Sequence, residues 1–158
     1  MAWLSFADSG RDAEEKMRRM FISVESHERI AVQARNRCGY CRSAEKVTGV
    51  PLEIDHLIPL SAGGSSREEN LWVACRRCNS FKRSQTHALD VVTGRHVRLF
   101  NPRKQQWKRH FEWSQDGTRI IGKTACGRAT VLALQMNNDL IVDARRGWVS
   151  VGWHPPKD

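Results

Sequence analysis

The chain has 158 residues, 40% of them hydrophobic and 27% charged; this is the composition of an ordinary globular protein able to bury roughly two-thirds of its unfolded surface, and no run approaches the roughly 18 apolar residues of a membrane span. The net charge is +9, unevenly placed: residues 76–110 carry ten Lys or Arg and one acid, Asp90, while the remainder holds 16 basic and 16 acidic side chains. One domain with an extension is expected, cytoplasmic by default because the start lacks a basic, apolar leader, and the basic segment has the pattern of a nucleic-acid footprint.

Residues 1–25 read as an N-terminal arm, in which Ala13, Met17, Met20 and Phe21 at helical spacing predict a short amphipathic helix over 11–22. Ser26 offers an N-cap to a second helix reaching Arg35, with Ile30, Ala31 and Ala34 on one face and His27 on the surface. That helix delivers the chain to Cys38.

Cys38-Gly39-Tyr40-Cys41 and Cys75-Arg76-Arg77-Cys78 are two CxxC knuckles. Four thiolates at this spacing, in a chain without a secretion leader, select Zn²⁺ rather than a disulfide framework. The fifth cysteine, Cys126, reads as a small buried hydrophobe. Between the knuckles, residues 50–58 predict a strand with Leu52, Ile54, His56 and Ile58 on one side, ended by Pro59. Residues 61–66 are a loop by composition and 70–74 a second strand. A helix opening at Asn79 brings Asn79, Lys82 and Arg83 to one face.

Beyond Gln85 the pattern predicts a helix end or short strand over 88–94, then a basic strand over 95–100 broken by Asn101-Pro102. A hairpin around Asp116-Gly117 and helices over 128–136 and 139–148 follow. Trp72, Trp113 and Trp148 are expected in the core. Trp107, among Lys104, Lys108 and Arg109, is a candidate for stacking on a base. His87, His96 and His110 of the basic stretch read as surface or core histidines, with phosphate contact or help to the site as the alternative.

Together the two knuckles, Asp55-His56, the loop Leu57 to Gly64, Asn70-Leu71 and Cys78-Asn79…Lys82 resemble the HNH endonuclease family, in the subgroup whose ββα-metal motif is stapled by four cysteines. The resemblance spans residues 38–83. It implies an α+β fold: a ββα-metal (His-Me finger) core with zinc knuckles and an N-terminal helix over 26–88, followed by a mixed α/β, basic C-terminal extension over 89–158 packed on that core. The tail, through Leu99-Phe100-Asn101-Pro102 and Trp107…Trp113, is similar to the extension of stand-alone bacterial HNH proteins.

The resemblance also implies roles. Cys38, Cys41, Cys75 and Cys78 would hold a structural Zn²⁺, while Asp55 and Asn79, whose oxygens suit a hard cation, would hold one catalytic Mg²⁺ or Mn²⁺. His56 would be the general base, with a pKa suited to neutral pH. Asn70 would brace the loop and orient His56. Lys82, and with it Arg83, would contact phosphate near the helix N-terminus, joined by Arg76 and Arg77. Glu53 is expected to be a salt-bridging surface residue or, less simply, a second carboxylate at the metal. The implied activity is hydrolysis of DNA phosphodiester bonds by a monomer or weak dimer, with no membrane partner. A non-catalytic zinc-stapled nucleic-acid-binding module and a nuclease preferring RNA are the competing readings.

Overall fold

The computed structural model describes residues 10, 13, 14, 17 and 21–157, and the helix expected over 11–22 lies largely outside them. Helix α1 (Val24–Gln33) starts ahead of expectation because Ser23, not Ser26, is its cap: Ser23 Oγ accepts from the Ser26 amide at 3.1 Å. Its Ile30 and Ala31, with Ala34 just beyond, are buried. His27 is half-buried rather than on the surface, with Nε2 3.1 Å from the Leu52 carbonyl oxygen. A short helix α2 (Glu45–Thr48) follows the first knuckle, and Glu45 Oε1 accepts from the Leu52 amide at 2.7 Å.

Strands β1 (Glu53–His56) and β2 (Leu71–Ala74) pair antiparallel, with Glu53 opposite Ala74 and His56 opposite Leu71. Apolar alternation over 50–58 overstated β1. It stops at His56, so Ile58 lies in the following loop, 47% exposed, and not on an apolar strand face. Helix α3 (Arg76–Lys82) completes a ββα unit. It begins at Arg76 rather than Asn79 because Cys75 is its N-cap, and it ends where Arg83 turns to φ 51°. Lys82 therefore sits in the last turn, away from the N-terminal amides, and Arg83 has left the helix.

In the extension, β3 (His87–Asp90) and β4 (Arg95–Arg98) form a hairpin that crosses the expected boundary after residue 88. Helix α4 (Trp107–His110) leads into β5 (Phe111–Trp113), which pairs with β6 (Ile120–Gly122) around Asp116-Gly117. Helices α5 (Ala125–Ala133) and α6 (Asp139–Ser150) close the chain. The first of these starts before residue 128 because Thr124 caps it, its hydroxyl accepting from the Gly127 amide at 3.1 Å. No helix among the described residues is long and apolar enough to cross a membrane.

One apolar cluster runs through both parts. Ile30, Leu71 and Val73 from the ββα side pack with Phe100, Phe111, Ile120, Leu134 and Met136 from the extension. At roughly 1.5–3 kcal/mol per buried large side chain, this shared core holds the extension in place. Trp107 belongs to that joint rather than to a base-stacking surface. Its Nε1 donates to the Tyr40 carbonyl at 2.7 Å and its ring lies 5.2 Å from Phe111 and 5.5 Å from Trp113. Trp72, Trp113 and Trp148 are half-buried rather than fully interior; Trp72 lies under the Arg103 guanidinium at 4.8 Å.

Candidate functional site

The two knuckles meet. The Sγ atoms of Cys38, Cys41, Cys75 and Cys78 all lie within 4.8 Å of one another, with Cys41 and Cys75 3.6 Å apart across 34 positions of sequence. A tetrahedral zinc with Zn–S near 2.3 Å requires S–S edges of about 3.8 Å, so the four sulfurs make a candidate zinc site. The thiols also titrate against one another. Hydrogen bonds, first from Cys38, draw Cys41 well below its ordinary value, whereas burial pushes Cys38 up and the bond to Cys38 pushes Cys78 up. Four thiolates this close need a cation to ionise together. Gly39 is required by the packing, because a Cβ there would stand 2.3 Å from Trp72 Cδ1 on β2.

Asp55 lies beneath this staple. Its carboxylate is 3% exposed and accepts from the Tyr40 hydroxyl at 2.6 Å (Oδ2) and from Lys82 Nζ at 2.9 Å (Oδ1). Lys82 donates as well to the His56 carbonyl at 3.0 Å and is itself 1% exposed. The expected phosphate contact by Lys82 is therefore not what the fold provides. A lysine in the last turn of α3 faces β1, and its charge is taken up internally. Tyr40 was not singled out by sequence reasoning. The available signal was that the only tyrosine in the chain stands inside a metal knuckle, and here burial and the Asp55 charge push its phenol well up.

His56 is the last residue of β1 and half-buried. Its Nε2 lies 3.0 Å from Ser66 Oγ in the loop that follows. Burial lowers the imidazole pKa, the Asp55 charge pulls it back up and the Lys82 charge lowers it again, leaving it below the ordinary value. The shift favours the neutral imidazole, the form that can accept a proton. Asn70 pins the loop backbone without touching the ring. Its Oδ1 accepts from the Ile58 amide at 2.8 Å, and its Nδ2 donates to the Ile58 carbonyl at 2.8 Å and the Ser65 carbonyl at 2.7 Å. A Cβ on Gly64 would meet the Ile58 carbonyl oxygen at 1.8 Å, so this compact loop needs glycine there.

On the face of β1 turned to α3, Glu53 and Asp55 alternate with Ile54 and His56. Asn79 Nδ2 donates to Glu53 Oε2 at 2.9 Å, so the half-buried Glu53 is, among the described residues, hydrogen-bonded to Asn79 rather than salt-bridged. The remaining acceptor of Asn79 is its amide oxygen. Carboxylate and amide oxygens are hard donors that fit Mg²⁺ or Mn²⁺ in kind, with both oxygens of Asp55 already accepting, from Tyr40 and from the Lys82 ammonium. Of the cationic side chains expected at nucleic acid, Arg76 and Arg83 are exposed. Arg77 is half-buried, with Nη2 3.3 Å from the Gln135 carbonyl oxygen and its guanidinium over the Phe81 ring. His110, in the basic segment, is an internal strut. Its Nδ1 is 2.8 Å from Thr124 Oγ1 and its Nε2 is 3.2 Å from Gln105 Nε2.

Compared with known proteins, residues 38–85 match the family model described as HNH endonuclease. No curated protein and no solved structure matches the chain.

Proposed function

We propose that this chain, an HNH protein over residues 38–85, is an endonuclease that hydrolyses DNA phosphodiester bonds with His56 as general base. The observation that carries the reading is the setting of His56: a half-buried imidazole at the end of β1, its Nε2 3.0 Å from Ser66 Oγ, against a loop fixed by Asn70 and backed by the Asp55–Lys82 pair. His56 takes a proton from the attacking water, a role worth about 10²–10⁴ in rate. Asn70 fixes the loop on which the ring rests. Asp55 and Asn79, with Glu53 beside them, would hold a hard divalent cation. Bound there, such an ion supplies neutralisation of the negative charge that builds on the phosphate. Zinc at the four cysteines has no open coordination position and serves the scaffold. Arg76 and Arg83 contact phosphates, and binding carried by phosphate contacts favours weak sequence preference.

The test is plasmid cleavage by purified protein with Mg²⁺, with Mn²⁺ and with chelator, beside His56→Ala of verified zinc content. Cleavage that needs added metal and is lost in a folded, zinc-loaded His56→Ala is the expected result. Plasmid binding without cleavage under every metal would instead make the chain a zinc-stapled binding module, in which Lys82 occupies Asp55 for structural reasons alone. Cleavage of RNA in preference to plasmid would move the substrate class.

A further inference from the structure

The extension closes a cleft of about 760 Å³ against the ββα unit. Its walls include Leu57 and Ile58, the two residues that follow His56, and His87 and Arg98 from the β3–β4 hairpin. A second cleft of about 470 Å³ lies over the loop pinned by Asn70 and shares Leu57, Ile58, Asn101 and Lys104 with the first. The two clefts therefore adjoin beside the residues directly C-terminal to His56.

The charge of the two clefts is one-sided. No carboxylate lines the larger cleft, and Glu69 is the one acid of the smaller. The single acid of residues 76–110, Asp90, is buried and gripped by Arg128 through Nε at 2.9 Å and Nη2 at 2.8 Å, so it offsets no charge in the cleft. His87 and Arg98 stand directly opposite each other in the hairpin register, both exposed, which puts their side chains side by side. Lys104 is exposed where the two clefts meet. Between these polar groups the wall is apolar, formed by Leu57, Ile58 and Phe100.

We infer that the adjoining clefts are the track for the backbone of the DNA strand being cut, with Arg98, Lys104 and His87 on its phosphates and the apolar wall against its sugars and bases. The inference rests on the nuclease reading and adds to it a substrate-binding role for the extension. Phosphate contacts release counterions, so each one contributes roughly 0.9 to the slope of log affinity against log salt. An apolar wall flanked by cations is the arrangement that holds a nucleic-acid strand without reading its sequence.

The experiment is fluorescence anisotropy of a short labelled DNA duplex at increasing KCl without added divalent ion, for the wild type, R98E/K104E and R119E/R146E. The last pair removes the same charge from exposed positions outside the clefts. The cleft variant is expected to bind about tenfold more weakly or worse, with the salt slope reduced by about two, while R119E/R146E keeps the wild-type slope. Equal losses in the two variants, or an unchanged slope in R98E/K104E, overturn the inference. R98Q/K104Q answers any disturbance of folding by the glutamates, since it loses the same contacts. If the wild type cuts plasmid and the slopes are alike, the track alone fails. If the wild type neither binds nor cuts DNA, the nuclease reading fails with it.

Discussion

Lys82 donates to Asp55 at 2.9 Å from a position only 1% exposed, and this pair replaces the surface phosphate contact that a lysine three residues after Asn79 suggests. Two charges this far from water stabilise the fold only together, because removing one leaves the other buried and uncompensated. Lys82→Met should cost about 3–5 kcal/mol in urea unfolding, and Lys82→Met with Asp55→Asn should recover most of that loss. The salt dependence of DNA binding should not change in a Lys82→Met protein that remains folded, since the ammonium, although at the wall of the larger cleft, is held by Asp55 and the His56 carbonyl. A reduced slope would return Lys82 to the nucleic-acid surface.

Tyr40 holds the second oxygen of Asp55 at 2.6 Å. Tyr40→Phe keeps the ring and its packing but removes that hydrogen bond, at a cost of about 1–2 kcal/mol, a fall in melting temperature of roughly 3–6 °C. If the hydroxyl orients Asp55 for the reaction, kcat/KM on plasmid should fall about tenfold with duplex affinity unchanged. A loss of stability without any loss of activity would confine Tyr40 to the scaffold.

Covalent spacing and charge made much of this legible in the sequence. Cys38, Cys41, Cys75 and Cys78 are recognisable because CxxC spacing alone fixes two sulfurs toward one ion, and the fold brings all four together. His56 stood out by its neighbours in sequence. What was not legible depends on depth within the tertiary fold. The burial of Lys82 follows from α3 beginning one turn earlier than Asn79, which was set by the Cys75 cap, a cysteine doing the work usually given to Ser or Asp. Trp107 is a candidate for base stacking only because its neighbours in sequence are basic, and its ring turns inward, Nε1 donating to the Tyr40 carbonyl. Neighbours along a chain share a charge environment without sharing a face.

Arg145 ties the last helix to the backbone of Thr118 and Met136. It is fully buried, its Nη1 donates to the Met136 carbonyl at 2.8 Å and the Thr118 carbonyl at 3.1 Å, and its Nε and Nη2 find no hydrogen-bond partner among the described residues. Burial holds its pKa below the ordinary value while the charges of Cys41, Cys78 and Cys75 oppose that shift. Four thiolates around a divalent ion would carry a net charge of about −2, and the buried Arg145 guanidinium would offset part of it if an ion is held there. Arg145→Met should weaken zinc retention about tenfold in competition with a chromogenic chelator, with Arg145→Lys intermediate. Unaltered zinc affinity in Arg145→Met would reduce the residue to its carbonyl contacts and its packing over Trp113, 5.3 Å away.

The Asp90–Arg128 pair joins the β3–β4 hairpin to α5, with Thr93 Oγ1 donating to the same carboxylate at 2.7 Å. Hydrogen bonds from Arg128 first, and from Thr93, hold the Asp90 carboxyl far below the usual carboxylate range. A folded-state pKa lower than the unfolded value of about 4 means that the pair's stabilisation is complete above that pH and is lost as the pH falls through the folded value. Asp90→Asn, nearly isosteric, should therefore melt lower than the wild type at pH 7, by on the order of 5 °C, and the gap should narrow progressively as the pH falls below about 5. Acid also protonates the zinc-binding thiolates, but it does so in both proteins, so the difference between their melting curves isolates Asp90. A gap that persists unchanged to the acid limit would mean that the loss in Asp90→Asn comes from the turn at Thr93 rather than from the charge.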